Sequence, residues 1–185
     1  MRLRLGTRGS RLALRQAEWV RARLEQAGLA VELVQIRTTG DELSEVPLPA
    51  LDTGDVFTRQ IDQALLAGEI DLAVHSLKDL PVMLPDGIAL AAVPVREDPR
   101  DAIIGRGPVS LRQLPPGAVV ATCSLRRRAQ LLQTRPDLAL ADLRGNVDTR
   151  IARLDANGGW SGIILAVAGL NRLGLSGRIG EYLEP

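Results

Sequence analysis

The chain has 185 residues, 45% of them hydrophobic, and carries 23 basic against 22 acidic side chains, a net charge of +1. That length buries a real core in one domain or two small ones, and the charge balance excludes a global field drawing it to nucleic acid or a membrane surface. A single cysteine excludes an internal disulfide, and one cysteine with one histidine excludes the common zinc ligand sets.

The N-terminal stretch MRLRLGTRGSRLAL contains no apolar run long enough for a signal peptide, and nowhere do ~18 consecutive apolar residues suggest a membrane span. A soluble, cytoplasmic protein is the expectation. LRLGT, residues 3–7, reads as a strand, after which Ser10 can cap a helix bearing Leu12, Ala13, Ala17, Val20, Leu24 and Ala27 at helical spacing. VELVQIRT follows as a strand, FTRQIDQALLAG as a helix closed by Gly68, and IDLAVHS as a buried strand. Between them, residues 39–55 form a long polar loop of the kind that serves as a lid or lacks order. IALAAVPV, residues 88–95, reads as another strand leading to REDPRDAII, and then the pattern restarts. AVVAT is a strand, SLRRRAQLL a helix, LALADLR a strand, VDTRIARLDANG a helix and GIILAVAG a strand. Alternation of this kind predicts two similar α/β domains, residues 1–95 and 96–185, each a mostly parallel sheet flanked by helices.

Three strand-to-helix junctions share one design: GTRGS (6–10), TCSLRRR (122–128) and RGNVDTR (144–150). Each puts small or capping residues at a helix start with arginine within one turn. Unpaired N–H groups, the helix dipole and a guanidinium fork together suit a carboxylate or phosphate. In doubly wound folds such junctions lie at the strand ends where ligands bind. Arg8, Arg126, Arg127, Arg144 and Arg150 are therefore candidates for one ligand with several negative groups, held between two facing units. Arg128, Arg135 and Arg153 fall on other helical faces and read as solvated.

HSLKDLP, residues 75–81, holds the only histidine and the only lysine beside Asp79. A carboxylate there can stabilise a developing cation or handle a proton, while Lys78 adds a donor for an anion. The plainer alternative is an aspartate capping a turn before Pro81. His75 reads as a half-buried strand residue rather than a base. A phosphate loop and a Ser-His-Asp triad are both excluded by spacing.

GTRGSRLALRQA, FTRQIDQALLAGEIDLAVHSLKDLP, VATCSLRRRAQL, LRGNVDTRIARL and IILAVAGLNRLGL occur in order and together resemble the porphobilinogen deaminase (hydroxymethylbilane synthase) family over essentially the whole chain. The resemblance implies a pair of domains like type II periplasmic binding proteins, with the last residues returning to the first domain. It also implies a monomeric cytoplasmic transferase of tetrapyrrole synthesis. Such an enzyme condenses four porphobilinogen units into hydroxymethylbilane, releasing ammonia, on a dipyrromethane cofactor. By motif, Asp79 is the catalytic carboxylate, assisted by Arg8. Arg8, Ser10, Gln16, Arg144 and Arg150 would meet substrate, and Ser76, Lys78, Thr122, Ser124, Arg126, Arg127, Arg144 and Arg150 the cofactor and nascent chain. No metal is implied.

Three departures qualify the resemblance. The family's third domain, whose cysteine tethers the cofactor, has no counterpart here, so this chain alone is expected to be inactive. Cys123 stands where the family has serine and reads as a small binding-loop residue. Asp52 to Asp55 replace a glycine- and lysine-rich segment, removing an expected lysine contact, while Arg59 replaces a second lysine and can still serve. The rival reading is a non-catalytic, two-lobed binder or sensor of small anions.

Overall fold

The computed structural model describes residues 2–42 and 56–184, and its contacts divide the chain into two units, Met1–Val95 and Arg96–Pro185. The first unit opens with strand β1 (Arg2–Arg8) and helix α1 (Arg11–Gln26). Strand β2 (Ala30–Ile36), the single turn α2 (Thr39–Glu42), helix α3 (Arg59–Leu66) and the short strand β3 (Leu72–Ala73) follow. All three strands are parallel, in the order β2-β1-β3. Both longer helices close on a glycine with positive φ. At Gly28 the backbone turns back so that Leu29 N–H reaches the Leu24 carbonyl, and at Gly68 Glu69 N–H reaches Ala64. Leu5, Ala17 and Val31 are buried between β1, β2 and α1, while Ile61, Ala64 and Ile70 form a second small core under α3.

The second unit contains β4 (Asp101–Ile104), β5 (Val119–Ala121), α4 (Leu125–Thr134), β6 (Ala139–Ala141), α5 (Val147–Ala156), β7 (Gly162–Ala166), α6 (Val167–Arg172) and β8 (Glu181–Leu183). Its sheet runs β6-β5-β7-β4-β8, with β5, β6 and β7 parallel and β4 antiparallel to both β7 and β8. Side-chain alternation puts Ile163 and Leu165 of β7 with Ile104, Leu154 and Leu170 in one core, and Ile164 with Ile103, Val120 and Leu131 in the other. Both faces of this sheet are thus covered, which is why β7 reads as an unbroken apolar run.

Several sequence expectations need correction. Residues 88–95 form no strand, and Leu90, Val93 and Val95 are exposed. Apolar spacing marks a segment able to pair but does not supply the partner, and this segment joins neither sheet. The strand of this region is instead β4, at the end of REDPRDAII. IDLAVHS yields only two ladder residues, leaving His75 half-buried in the loop beyond. GIILAVAG is a strand only to Ala166, because Val167 begins α6. The loop expected over 39–55 starts with the α2 turn, and the remainder, including Asp52 to Asp55, lies outside the described residues.

Candidate functional site

At the β1–α1 junction, Ser10 is the N-cap and its Oγ accepts from Ala13 N–H at 3.3 Å. Buried Thr7 donates its hydroxyl to the Ala13 carbonyl at 3.3 Å, fixing the same turn from below. Arg8 leaves the strand end and stacks its guanidinium over Phe57, 4.3 Å from the ring centroid. A Cβ at position 40 would collide with that ring, and Gly40 N–H donates to the Val56 carbonyl at 2.8 Å. Gly40 therefore lets Phe57 lie close to the chain as a platform for Arg8.

Beyond β3, residues Leu77–Asp79 form one 3-10 turn, closed by Asp79 N–H donating to the Ser76 carbonyl at 2.8 Å. Ser76 Oγ donates to Gln16 Oε1 at 3.0 Å, tying the turn to α1. The Asp79 carboxylate is half-exposed and accepts no hydrogen bond from any described residue, so it does not cap the turn. Lys78 is exposed beside it. His75 is mostly buried, and its Nε2 meets no partner among the described residues. Burial pushes the imidazole below its ordinary pKa and outweighs the opposing charges of Asp62 and Asp79, while Arg8 adds to the depression.

In the second unit, Thr122 is buried at the end of β5, and its Oγ1 accepts from Ser124 N–H at 3.3 Å. Ser124 caps α4, its Oγ accepting from Arg127 N–H at 3.5 Å. The neighbouring arginines share Asp101. Arg127 donates Nε and Nη2 to the two carboxylate oxygens at 3.1 and 2.7 Å, and Nη1 to the Ile164 carbonyl at 3.2 Å. Arg126 donates Nη2 to Asp101 at 2.8 Å and Nη1 to Gln130 at 2.7 Å. Burial by itself would raise the Asp101 pKa, but the bonds and charges of Arg127 and Arg126 hold it below the ordinary value.

After β6, Gly145 adopts φ +105, a conformation that side chains rarely tolerate, and accepts from Arg150 Nε at 2.7 Å. Asn146 caps α5 by position without a side-chain bond. Arg144 differs from the other junction arginines: its Nη1 is buried and meets no acceptor among the described residues. A charged donor removed from water without a partner is costly, and an anion would remove that cost.

The sequence-derived candidates thus divide. Arg8, Ser10, Gln16, Ser76, Lys78 and Asp79 lie in the first unit around one end of its sheet. Thr122, Ser124, Arg126, Arg127, Arg144 and Arg150 occupy the β5–α4 and β6–α5 junctions of the second. Sequence reasoning missed Asp101 and Phe57, neither of which lies beside its arginine in the chain. It also misjudged Arg135, which is mostly buried: it pairs with Asp137 at 2.6 Å and donates to the Leu111 and Leu114 carbonyls at 2.6 and 2.7 Å. Arg135 holds a loop, and a helical wheel cannot show acceptors from another segment. No group of three or more His, Cys, Asp or Glu among the described residues could hold a metal ion, and no described helix is long and apolar enough to cross a membrane.

A family profile described as "Porphobilinogen deaminase, dipyromethane cofactor binding domain" matches residues 3–185. The porphobilinogen deaminase of Rubrobacter xylanophilus is 60% identical over 174 residues, covering 94% of this chain and 57% of that protein. That of Geobacter metallireducens is 52% identical over 184 residues, covering 98% of this chain and 57% of its own length. The chain therefore spans little more than half the length of these relatives. Among solved structures, a periplasmic substrate-binding protein of an ABC transporter from Coxiella burnetii aligns with TM-score 0.56 at 16% identity, covering 99% of this chain and 79% of that one. The methionine-binding protein MetQ aligns with TM-score 0.51 at 17% identity, covering 99% and 78%. At such identities the likeness shows the fold alone, that of type II periplasmic binding proteins.

Proposed function

Because this chain belongs to the porphobilinogen deaminase family, we propose that it supplies the catalytic carboxylate and the anion-binding groups of a cytoplasmic, monomeric transferase. That enzyme would condense four porphobilinogen units into hydroxymethylbilane with release of ammonia. Residues 1–95 and 96–185 would be its first two domains. Neither nucleic acid nor a membrane is a partner on this reading.

The carrying observation is the buried Nη1 of Arg144, which meets no acceptor among the described residues. It fits a ligand carboxylate, and dipyrromethane, two linked pyrroles with acetate and propionate side chains, offers several. When bound, that group anchors the growing chain. Arg126, Arg144 and Arg150 would hold its carboxylates together with Lys78 and the hydroxyls of Ser76, Thr122 and Ser124. Ser10 and Ser124 spend their oxygens as acceptors in the helix caps and keep a hydroxyl proton to donate. Arg127 would act from its pairing with Asp101.

Asp79 is placed by a closed turn yet accepts no hydrogen bond from the described residues, so its full charge is available to a cation developing as ammonia departs. Arg8, held flat by Phe57, would orient a substrate carboxylate and assist proton transfer, with Ser10 and Gln16 beside it.

The test compares Arg144→Met with the parent, in this chain and in this chain extended to full length by the remaining residues of the Rubrobacter relative. Removing a guanidinium with one buried nitrogen that meets no acceptor among the described residues should leave the unfolding midpoint unchanged or higher while lowering dipyrromethane affinity and turnover of porphobilinogen. Unchanged affinity and turnover would overturn the proposal. Reversible anion binding without turnover in the extended parent would favour the non-catalytic binder.

A further inference from the structure

We propose that Asp101 is a positioning residue whose carboxylate fixes the two adjacent guanidiniums so that Arg126 presents its outer N–H groups to a ligand carboxylate. The inference rests on the functional reading above and extends it to a residue outside the arginine motifs.

Three observations carry it. Asp101 cannot follow the arginines if they move, because it opens β4 and is in register with Ala166 of β7 on one side and Leu183 of β8 on the other. Its side chain is 13% exposed and that of Arg127 10%, so this pair is a buried ion pair rather than a surface contact. The side chain of Arg126 is 61% exposed although it bonds to the same carboxylate.

The two neighbouring arginines therefore differ in kind. Arg127 uses all three guanidinium nitrogens internally, on Asp101 and the Ile164 carbonyl, and thereby joins α4 to two adjacent strands. Arg126 uses one N–H of each terminal nitrogen, on Asp101 and Gln130, and each of those nitrogens retains a second N–H. A long exposed side chain normally samples many rotamers, and binding must then meet the entropy of fixing it. Anchored at one nitrogen to Asp101 and at another to Gln130, Arg126 is oriented before the ligand arrives.

Asparagine at position 101 would keep one acceptor oxygen and turn an amide N–H₂ toward a guanidinium, leaving Arg127 buried with an incomplete partner. Removing the negative charge would by itself strengthen anion binding. The geometry makes the opposite prediction, because Arg126 loses the anchor that orients its free N–H groups.

The experiment titrates a synthetic dipyrromethane bearing acetate and propionate groups into the parent chain, Asp101→Asn, Arg126→Gln and the double variant, with thermal unfolding of each. Each single variant is expected to bind about tenfold more weakly or worse, the scale of one charge-assisted bond. The double variant should bind no worse than the weaker single one, since Asp101 acts through Arg126. Losses that multiply in the double variant, or Asp101→Asn binding as tightly as the parent or tighter, would overturn the assignment. Should Asp101→Asn not fold, Asp101→Glu replaces it: the charge stays but moves by one methylene, and weaker binding at a near-parental midpoint is expected. Unchanged binding by Asp101→Glu would then be the overturning result. Failure of the parent itself to bind would remove the functional reading and this inference together, whereas a binding parent with an indifferent Asp101 variant removes only the inference.

Discussion

In residues 96–185 most of the arginines at or near the junctions have partners, Arg127 and Arg126 on Asp101, Arg150 on the Gly145 carbonyl and Arg135 on Asp137 and three carbonyls, while Arg144 Nη1 meets none among the described residues. In the unit of residues 1–95 the candidate carboxylate, Asp79, is placed by its backbone and accepts no hydrogen bond from the described residues. The packing differs in the same sense. The five-stranded sheet has cores on both faces, whereas the three-stranded one has two small cores and leaves Val82, Met83, Val93 and Val95 exposed. Buried cations need fixed partners because desolvation penalises them, and a group meant to face a charge that exists only during reaction is more useful uncommitted. On the proposed function, one unit would hold anions in place and the other would offer a reactive charge.

The largest expected effect tests the uncommitted side of that contrast. In the extended chain, Asp79→Asn should lower turnover ~10²-fold or more while ligand affinity and the unfolding midpoint stay near parental. Comparable losses of affinity and turnover would show that Asp79 merely binds. Next comes packing: Leu154→Ala should cost about 2 to 5 kcal/mol in denaturant unfolding, since Leu154 is fully buried in the larger core. Amide exchange should show stronger protection in β4 and β7 than in β3, and equal protection would erase the difference between the units.

Arg135→Ala comes third and separates held from solvated arginines. It should lower the unfolding midpoint and leave dipyrromethane binding untouched, whereas Arg128→Ala should change neither, its partner Asp142 being largely exposed. The smallest effects are two pH dependences of the first unit. His75 has a folded pKa below its ordinary 6.5, so the unfolded chain binds the proton more readily. Stability should fall as pH drops below about 6.5, and His75→Phe should flatten that slope. Asp71 is held down to about 2, first by the side-chain bond from Arg4 and then by Arg4 N–H. Its contribution should be complete above the ordinary aspartate value of 3.8 and disappear as pH falls toward 2, a step absent in Asp71→Asn.

Much of this molecule follows from local rules. The caps at Ser10 and Ser124, the stop at Gly68, the helices around Ala17, Ile61, Leu131 and Leu154 and the glycine turn at 145 are each set by residues within a few positions. The junction arginines were legible for the same reason, being adjacent to the helix starts that they serve. Periodicity failed where the outcome depended on a distant partner. Residues 88–95 have the composition of a strand but no ladder, and Val167 turned an apolar run into a helix.

The sequence by itself determined two alternating α/β units, their helix starts and the placing of arginines at three strand-to-helix junctions, because these depend on backbone propensity, capping and side-chain type over one or two turns. Only the tertiary structure decided that Asp101 reaches Arg126 and Arg127 across 25 and 26 residues, that Arg135 holds a loop, that β4 runs antiparallel and that Arg144 Nη1 meets no acceptor among the described residues. Each of these depends on which distant groups share a buried volume, and desolvation then selects the charges that must be paired.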